Sequence, residues 1–142
     1  MASVFDVAKY ILGKTGAVTT WKLQKLVYYS QAWSTVWDDK PLFDEPIQAW
    51  ANGPVCPDLY KVHRGKFKID ELPRGSAKHL TASQKETIDK IVNYYGKKSA
   101  HYLSLLTHME GPWREARGDL PPGERGNSVI TLDSMAEYYG GL

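Results

Sequence analysis

The sequence predicts a mainly α-helical (α+β) fold: one compact domain of about five to six helices with a small β-strand or hairpin element around residues 46–55. Three observations point there. Apolar residues recur at helical spacing in several segments, two helix starts carry capping-box signatures, and one short segment alternates before a Gly-Pro turn.

From the N-terminus, Ser3 with Asp6 three residues on forms a capping box, and Val4, Val7, Ala8, Ile11 and Leu12 follow helical spacing, so a first helix is expected to end at Gly13. Thr19 or Thr20 caps a longer second helix whose Leu23, Leu26, Val27, Ser30, Trp33 and Trp37 share one face. Tyr29, Ala32 and Val36 widen that face, which makes this helix central to the core. Pro41 and Pro46 cannot continue it, because proline lacks the backbone donor and clashes with the preceding turn; Asp38 to Pro46 therefore reads as a loop. Ile47, Ala49 and Ala51 alternate with Gln48 and Trp50 as a short strand, and Gly53–Pro54 turns the chain.

Pro57 suits the first turn of a short helix through Leu59 and Val62. Residues 65–76 are basic and turn-rich, with Phe67 and Ile69 in a second strand. Thr81 with Gln84 repeats the capping box ahead of Ile88, Ile91, Val92 and Tyr95, a helix broken at Gly96. Ser99 caps the next helix, with Tyr102, Leu105, Leu106 and Met109 expected on one face until Gly111 and Pro112 interrupt it; Trp113 lies on a short continuation. Residues 118–127 hold three glycines and two prolines and read as an exposed loop, after which Thr131 or Asp133 caps a last helix through Tyr139.

Bulk properties bound the function. The length of 142 residues fits one domain spanning 1–142, and 42% hydrophobic with 24% charged residues is ordinary for a globular chain. Cys56 is the one cysteine, so no internal disulfide forms; with no charged leader over Met1 to Lys14 and no long apolar run, a soluble cytoplasmic protein without a membrane partner is expected. A net charge of +2 does not call for nucleic acid as a partner. Charge is nevertheless uneven: residues 61–98 hold ten Lys or Arg against four Asp or Glu, while residues 38–58 hold five acids against Lys40.

Enzyme signatures are missing. There is no Gly-rich phosphate loop, no paired His at metal spacing and no nucleophile elbow. His108 and Glu110 form an H-x-E element, but the downstream P-C-x-x-C that would complete a deaminase zinc shell is absent. Cys56 could pair with His63, His79, His101 or His108 as nucleophile and base, yet a lone Cys reads first as a small buried hydrophobe, and His108 beside an apolar stripe as a structural histidine. No catalytic residue, metal ligand or cofactor is therefore expected. The aromatic supply, 12% of residues, suits a core or a partner surface. Trp33 and Trp37 fall on the core face; Trp21 and Trp50 do not, and with the cations Lys61, Arg64, Lys66 and Lys68 they are the candidate partner-binding residues.

Three motifs stand in order: KLQKLVYYSQAW (Lys22 to Trp33), AWANGPV (Ala49 to Val55) followed by PDLY (Pro57 to Tyr60), and LSLLTHMEGPW (Leu103 to Trp113). Together they resemble the Panacea domain of the SocA-like antitoxin family, over roughly residues 3 to 139. The resemblance implies a mostly helical domain and an antitoxin, often prophage-borne, that neutralises a cognate toxin protein by direct binding. It also admits an adaptor that delivers the toxin to a cytoplasmic unfoldase-protease. A nucleic-acid-binding regulator using the basic 61–98 region is a further alternative, and homo-oligomerisation is left open. Each motif reads as a fold-keeper, with partner specificity left to loops and outer faces.

Overall fold

A computed structural model describes residues 2–142; Met1, with which the expected leaderless segment begins, lies outside the described residues. Helix α1 (Val4–Thr15) starts on the expected capping box: Ser3 Oγ accepts from Asp6 N–H, and Asp6 accepts from Ser3 N–H. It does not end at Gly13. A glycine on an exposed helix face costs only about 1 kcal/mol, and Gly16, at φ +70°, is the residue that takes the positive φ which terminates the helix. Strand β1 (Val18–Thr19) leads into α2 (Thr20–Trp37), whose cap is Thr19.

Every residue from Leu23 to Ala32 is buried, so α2 is wrapped on all sides, with α1, α4 (Ala82–Tyr95), α5 (Ala100–His108) and α7 (Leu132–Gly140) packed around it. Trp37, expected in the core, is 47% exposed, because in the last turn of α2 it is Ser34 and Thr35 that face inward; Trp33 is half-buried. The loop that follows is held by one side chain. Gln31 Oε1 accepts from the Leu42 and Phe43 N–H groups at 2.7 and 3.3 Å, and Nε2 donates to the Phe43 carbonyl at 2.8 Å, so Leu42 and Phe43 can be buried without orphaned backbone.

The expected hairpin is present. β2 (Ile47–Trp50) pairs antiparallel with β3 (Gly53–Val55), and β5 (Val129–Ile130) joins the free edge of β2, giving the order β3-β2-β5. The turn is Ala51–Asn52; Gly53 and Pro54, expected to turn the chain, instead begin β3 opposite Trp50 and Ala49. β4 (Lys68–Ile69) pairs with β1; Phe67 precedes it and is exposed, though its carbonyl accepts Thr20 N–H at 2.9 Å. Pro57 opens α3 (Pro57–His63), and a 3₁₀ turn spans Ala77–His79.

α6 (Gly111–Arg117) is a separate helix because Pro112, lacking an N–H, cannot extend α5; the described residues therefore hold seven helices. On α5 the expected face is overturned. Leu103 and Thr107 are buried, whereas Tyr102, Leu105 and Met109 are exposed. Thr107 can be the inward residue because its hydroxyl donates to the Ser104 carbonyl at 2.8 Å within its own helix. Loop 118–127 is largely exposed as expected, and is clamped by Arg117, which donates to the Ala49, Pro121 and Glu124 carbonyls. No helix among the described residues is long and apolar enough to cross a membrane.

Candidate functional site

The three sequence motifs meet at the centre of the molecule and bond to one another. On α2, Gln24 Oε1 accepts from Cys56 N–H at 2.9 Å, and Nε2 faces both the Cys56 carbonyl at 3.3 Å and His63 Nε2 at 2.9 Å. Lys25, 1% exposed, donates from Nζ to the Pro54 carbonyl at 3.2 Å, with its ammonium 5.4 Å from the Trp21 ring. Among the described residues no carboxylate pairs with it, and burial pulls its amine down from 10.5 to about 7. Gly53 is required over this lysine twice: its φ is +122°, and a Cβ there would stand 2.6 Å from Lys25 Cε.

Further along α2, Tyr29 donates its hydroxyl to Glu110 Oε1 at 2.7 Å, and Tyr139 of α7 donates to the same oxygen at 2.8 Å. Burial raises the Glu110 carboxyl above its ordinary value, and the two tyrosine hydroxyls oppose that shift. Trp113 Nε1 donates to the Trp50 carbonyl at 2.8 Å, closing the circuit from the third motif to the second. The motif residues are thus held by each other.

That accounting divides the chemistry considered from sequence. His108 stacks on Trp113 at 4.1 Å between ring centroids, while Glu110 turns to Tyr29 and Tyr139, so the H-x-E pair serves two different sets of neighbours. Cys56 is buried, and burial pushes its thiol up to about 11, away from the thiolate a nucleophile needs. Among the described residues, no three or more His, Cys, Asp or Glu gather in a metal-binding group.

What faces outward is a different set. Trp21 and Trp50 are both half-buried and flank Tyr60, at 6.4 and 4.9 Å between ring centroids, although they come from α2 and β2. Lys61 and Arg64 follow Tyr60 at the end of α3, and Lys66 and Lys68 lie on the segment leading back to β1; all four are exposed. Beyond Trp50 opens a cleft of 450 Å³ lined by Gln48, Asn52, Arg125 and Asn127. Tyr60 was missed from sequence, though burial of its neighbour Leu59 on a short helix is the pattern that turns Tyr60 outward. Also missed was a second, aromatic groove of 520 Å³ that includes Trp33, Trp37, Tyr94, Tyr95 and Glu110.

Comparison with known proteins adds to this picture. A family model described as antitoxin SocA-like, Panacea domain, matches residues 23–114, a stretch that includes Gln24, Lys25, Gly53, Glu110 and Trp113. The antitoxin SocA of Caulobacter vibrioides is 28% identical over 124 residues, covering 75% of this chain and 66% of that protein. The chain thus spans just under two thirds of the length of that relative. No solved structure matches.

Proposed function

Because the chain belongs to the SocA-like antitoxin family with the Panacea domain, we propose that it is the antitoxin of a toxin–antitoxin pair and neutralises its cognate toxin by direct protein–protein binding in the cytoplasm. The observation that carries this reading is the division of labour among its residues. Gln24, Lys25, Glu110 and Trp113 are committed to internal hydrogen bonds, while Trp21, Tyr60 and Trp50 form an outward aromatic cluster followed by four exposed cations. Tryptophan, tyrosine and arginine are the residues most enriched at the energetic centres of protein interfaces. In this reading the aromatic cluster anchors the toxin, and Lys61, Arg64, Lys66 and Lys68 steer an acidic toxin surface toward it.

The test is co-expression with the product of the adjacent reading frame, scored by growth rescue and co-purification. Tyr60→Ala combined with Lys61→Glu and Arg64→Glu is expected to abolish both while the purified variant melts within a few degrees of the native chain. Full rescue by that folded triple variant would overturn the assignment of this face. Toxin abundance, followed by immunoblot in cells lacking the major unfoldase-proteases, separates the two antitoxin mechanisms: a blocker rescues with toxin level unchanged, and a proteolytic adaptor loses its effect there.

A further inference from the structure

We infer that α3 is an acid-released strap: one carboxamide, that of Gln24 on α2, fastens both of its ends, and a proton on His63 undoes the fastening and frees the turn that carries Tyr60, Lys61 and Arg64. Cys56 is the residue before α3, His63 is the last residue in it, and the helix has no side-chain cap at its start. Gln24, Cys56 and His63 are all buried, so water does not compete for their bonds. The Cys56 N–H can only donate and its carbonyl can only accept, which fixes the amide: Gln24 Oε1 takes the N–H at 2.9 Å and Nε2 faces the carbonyl at 3.3 Å. The second hydrogen on Gln24 Nε2 is left for His63 Nε2, 2.9 Å away, and that ring nitrogen must be the bare, accepting one.

A proton on this ring turns the acceptor into a donor and sets two N–H groups against each other at 2.9 Å in the core. Turning the Gln24 amide over does not relieve the conflict, since it restores one bond and breaks the two to Cys56. Nor does a neighbour compensate. Burial, and with it the Lys25 ammonium on α2, holds the imidazole below its ordinary value. At the head of α3 the Cys56 thiol is kept protonated by burial, and Asp58 lies beside that thiol in the first turn. Within α3 the Tyr60 ring stands edge-on to His63 at 5.4 Å between centroids. On α1, which also packs against α3, Asp6 is committed to Ser3, Ser76 and His79, Tyr10 and Lys14 to Asp89, and Lys9 is exposed. Among the described residues no carboxylate pairs with His63. The way out is short, because Lys61, Arg64 and Lys66 around the end of α3 are exposed, and the charged ring reaches water by opening the last turn of the helix. The release is a property of the chain by itself and does not depend on which partner meets this face.

The experiment is ¹⁵N NMR on the full chain. At about pH 8 the long-range correlations of the His63 ring are expected to show the tautomer protonated on Nδ1, with Nε2 bare. Lowering the pH to about 5 should shift the Trp21 indole N–H in step with the titration of His63. Over the same range the protection of the Cys56 amide against hydrogen exchange should fall by at least about tenfold, as befits loss of one hydrogen bond. The Trp33 indole, which donates to Tyr95, should stay in place. His63→Gln, whose carboxamide oxygen can accept from Gln24 and takes no proton in this range, should keep Cys56 protected throughout. If His63→Gln does not fold, the tautomer and the native titration decide. A neutral ring protonated on Nε2, a Cys56 amide that stays protected while His63 titrates, or the same loss of protection in folded His63→Gln would each overturn the inference. So would loss of the Trp33 signal at the same midpoint, since the whole domain would then be unfolding.

Discussion

Replacing Lys25 by methionine is expected to stabilise this protein at neutral pH and to lose that advantage in alkali. In the fold the amine is buried with a single acceptor, the Pro54 carbonyl, and its affinity for a proton falls from 10.5 to about 7. That difference corresponds to on the order of 5 kcal/mol for keeping the folded chain protonated. The unfolded chain binds the Lys25 proton up to about pH 10.5, and the folded chain releases it near 7, so the cost is present in full below 7 and fades as pH rises between these values. Methionine removes the charge at similar length but leaves the Pro54 carbonyl without its donor, a loss of about 1–3 kcal/mol. The net gain at pH 7 is therefore about 2–4 kcal/mol, shrinking to nothing or reversing near pH 10. Urea unfolding of both proteins at pH 7 and 10 measures it. His63 and His108 lie near enough to feel Lys25, but burial holds both below their ordinary values, so they are neutral across this range and do not enter the difference. A difference between the two proteins that stays constant from pH 7 to 10, or a variant less stable at pH 7, would refute the view that an uncompensated charge is buried here.

Other perturbations test the same framework. Gly53→Ala, which meets both a positive φ and Lys25 Cε, is expected to cost about 1–3 kcal/mol by urea titration. Asp6→Asn removes a carboxylate whose burial is outweighed by N–H bonds from Ser3 and Ser76 and by His79, holding it below its ordinary value. The lost stability should be largest above pH 4 and vanish as pH falls through the depressed folded value, visible in acid unfolding curves. Cys56→Ala should retain full neutralisation of the toxin, and the native thiol should react with a disulfide reagent only on unfolding, because it is buried and its pKa raised. Trp33→Ala, at a half-buried ring whose Nε1 donates to Tyr95, should lower stability by about 2 kcal/mol, below the range for a fully buried tryptophan.

Helix starts were legible in this sequence because their signals are local. Ser3 with Asp6, Thr81 with Gln84, and the single caps Thr19, Ser99 and Thr131 each satisfy their own first turn. The hairpin was legible in part: the alternation up to Trp50 marked its first strand, but the turn is Ala51–Asn52, and Gly53 and Pro54, expected to turn the chain, lie in β3. Faces were harder to read. On α5 the apolar stripe Tyr102, Leu105 and Met109 is real, but the helix is rotated to place Leu103 and Thr107 inward, because Thr107 satisfies its own hydroxyl and lies close to Gly53. Spacing records that a stripe exists; which neighbour it meets is a tertiary fact. Buried charge was harder still. Lys25 and Glu110 look solvated in the sequence, and their partners, the Pro54 carbonyl and the Tyr29 and Tyr139 hydroxyls, come from other elements. Of the candidate site, Trp21 and Trp50 were legible as residues off the core pattern, whereas Tyr60, which brings them together, was not.

The tyrosine bridge at the centre imposes an order on biosynthesis. Tyr28 and Tyr139 lie 111 residues apart in the chain yet meet at 3.0 Å, and Glu110 receives its second hydroxyl from the same Tyr139. A ribosome reads them in sequence, so every nascent chain passes through a stage in which α2 has emerged and α7 has not. During that stage one side of α2 is open where Tyr139 will later sit, Glu110 is one donor short, and the Tyr28 hydroxyl has no partner. Translation through Tyr139 is what closes the core, and any chain released earlier presents that open side to whatever protease or chaperone is at hand.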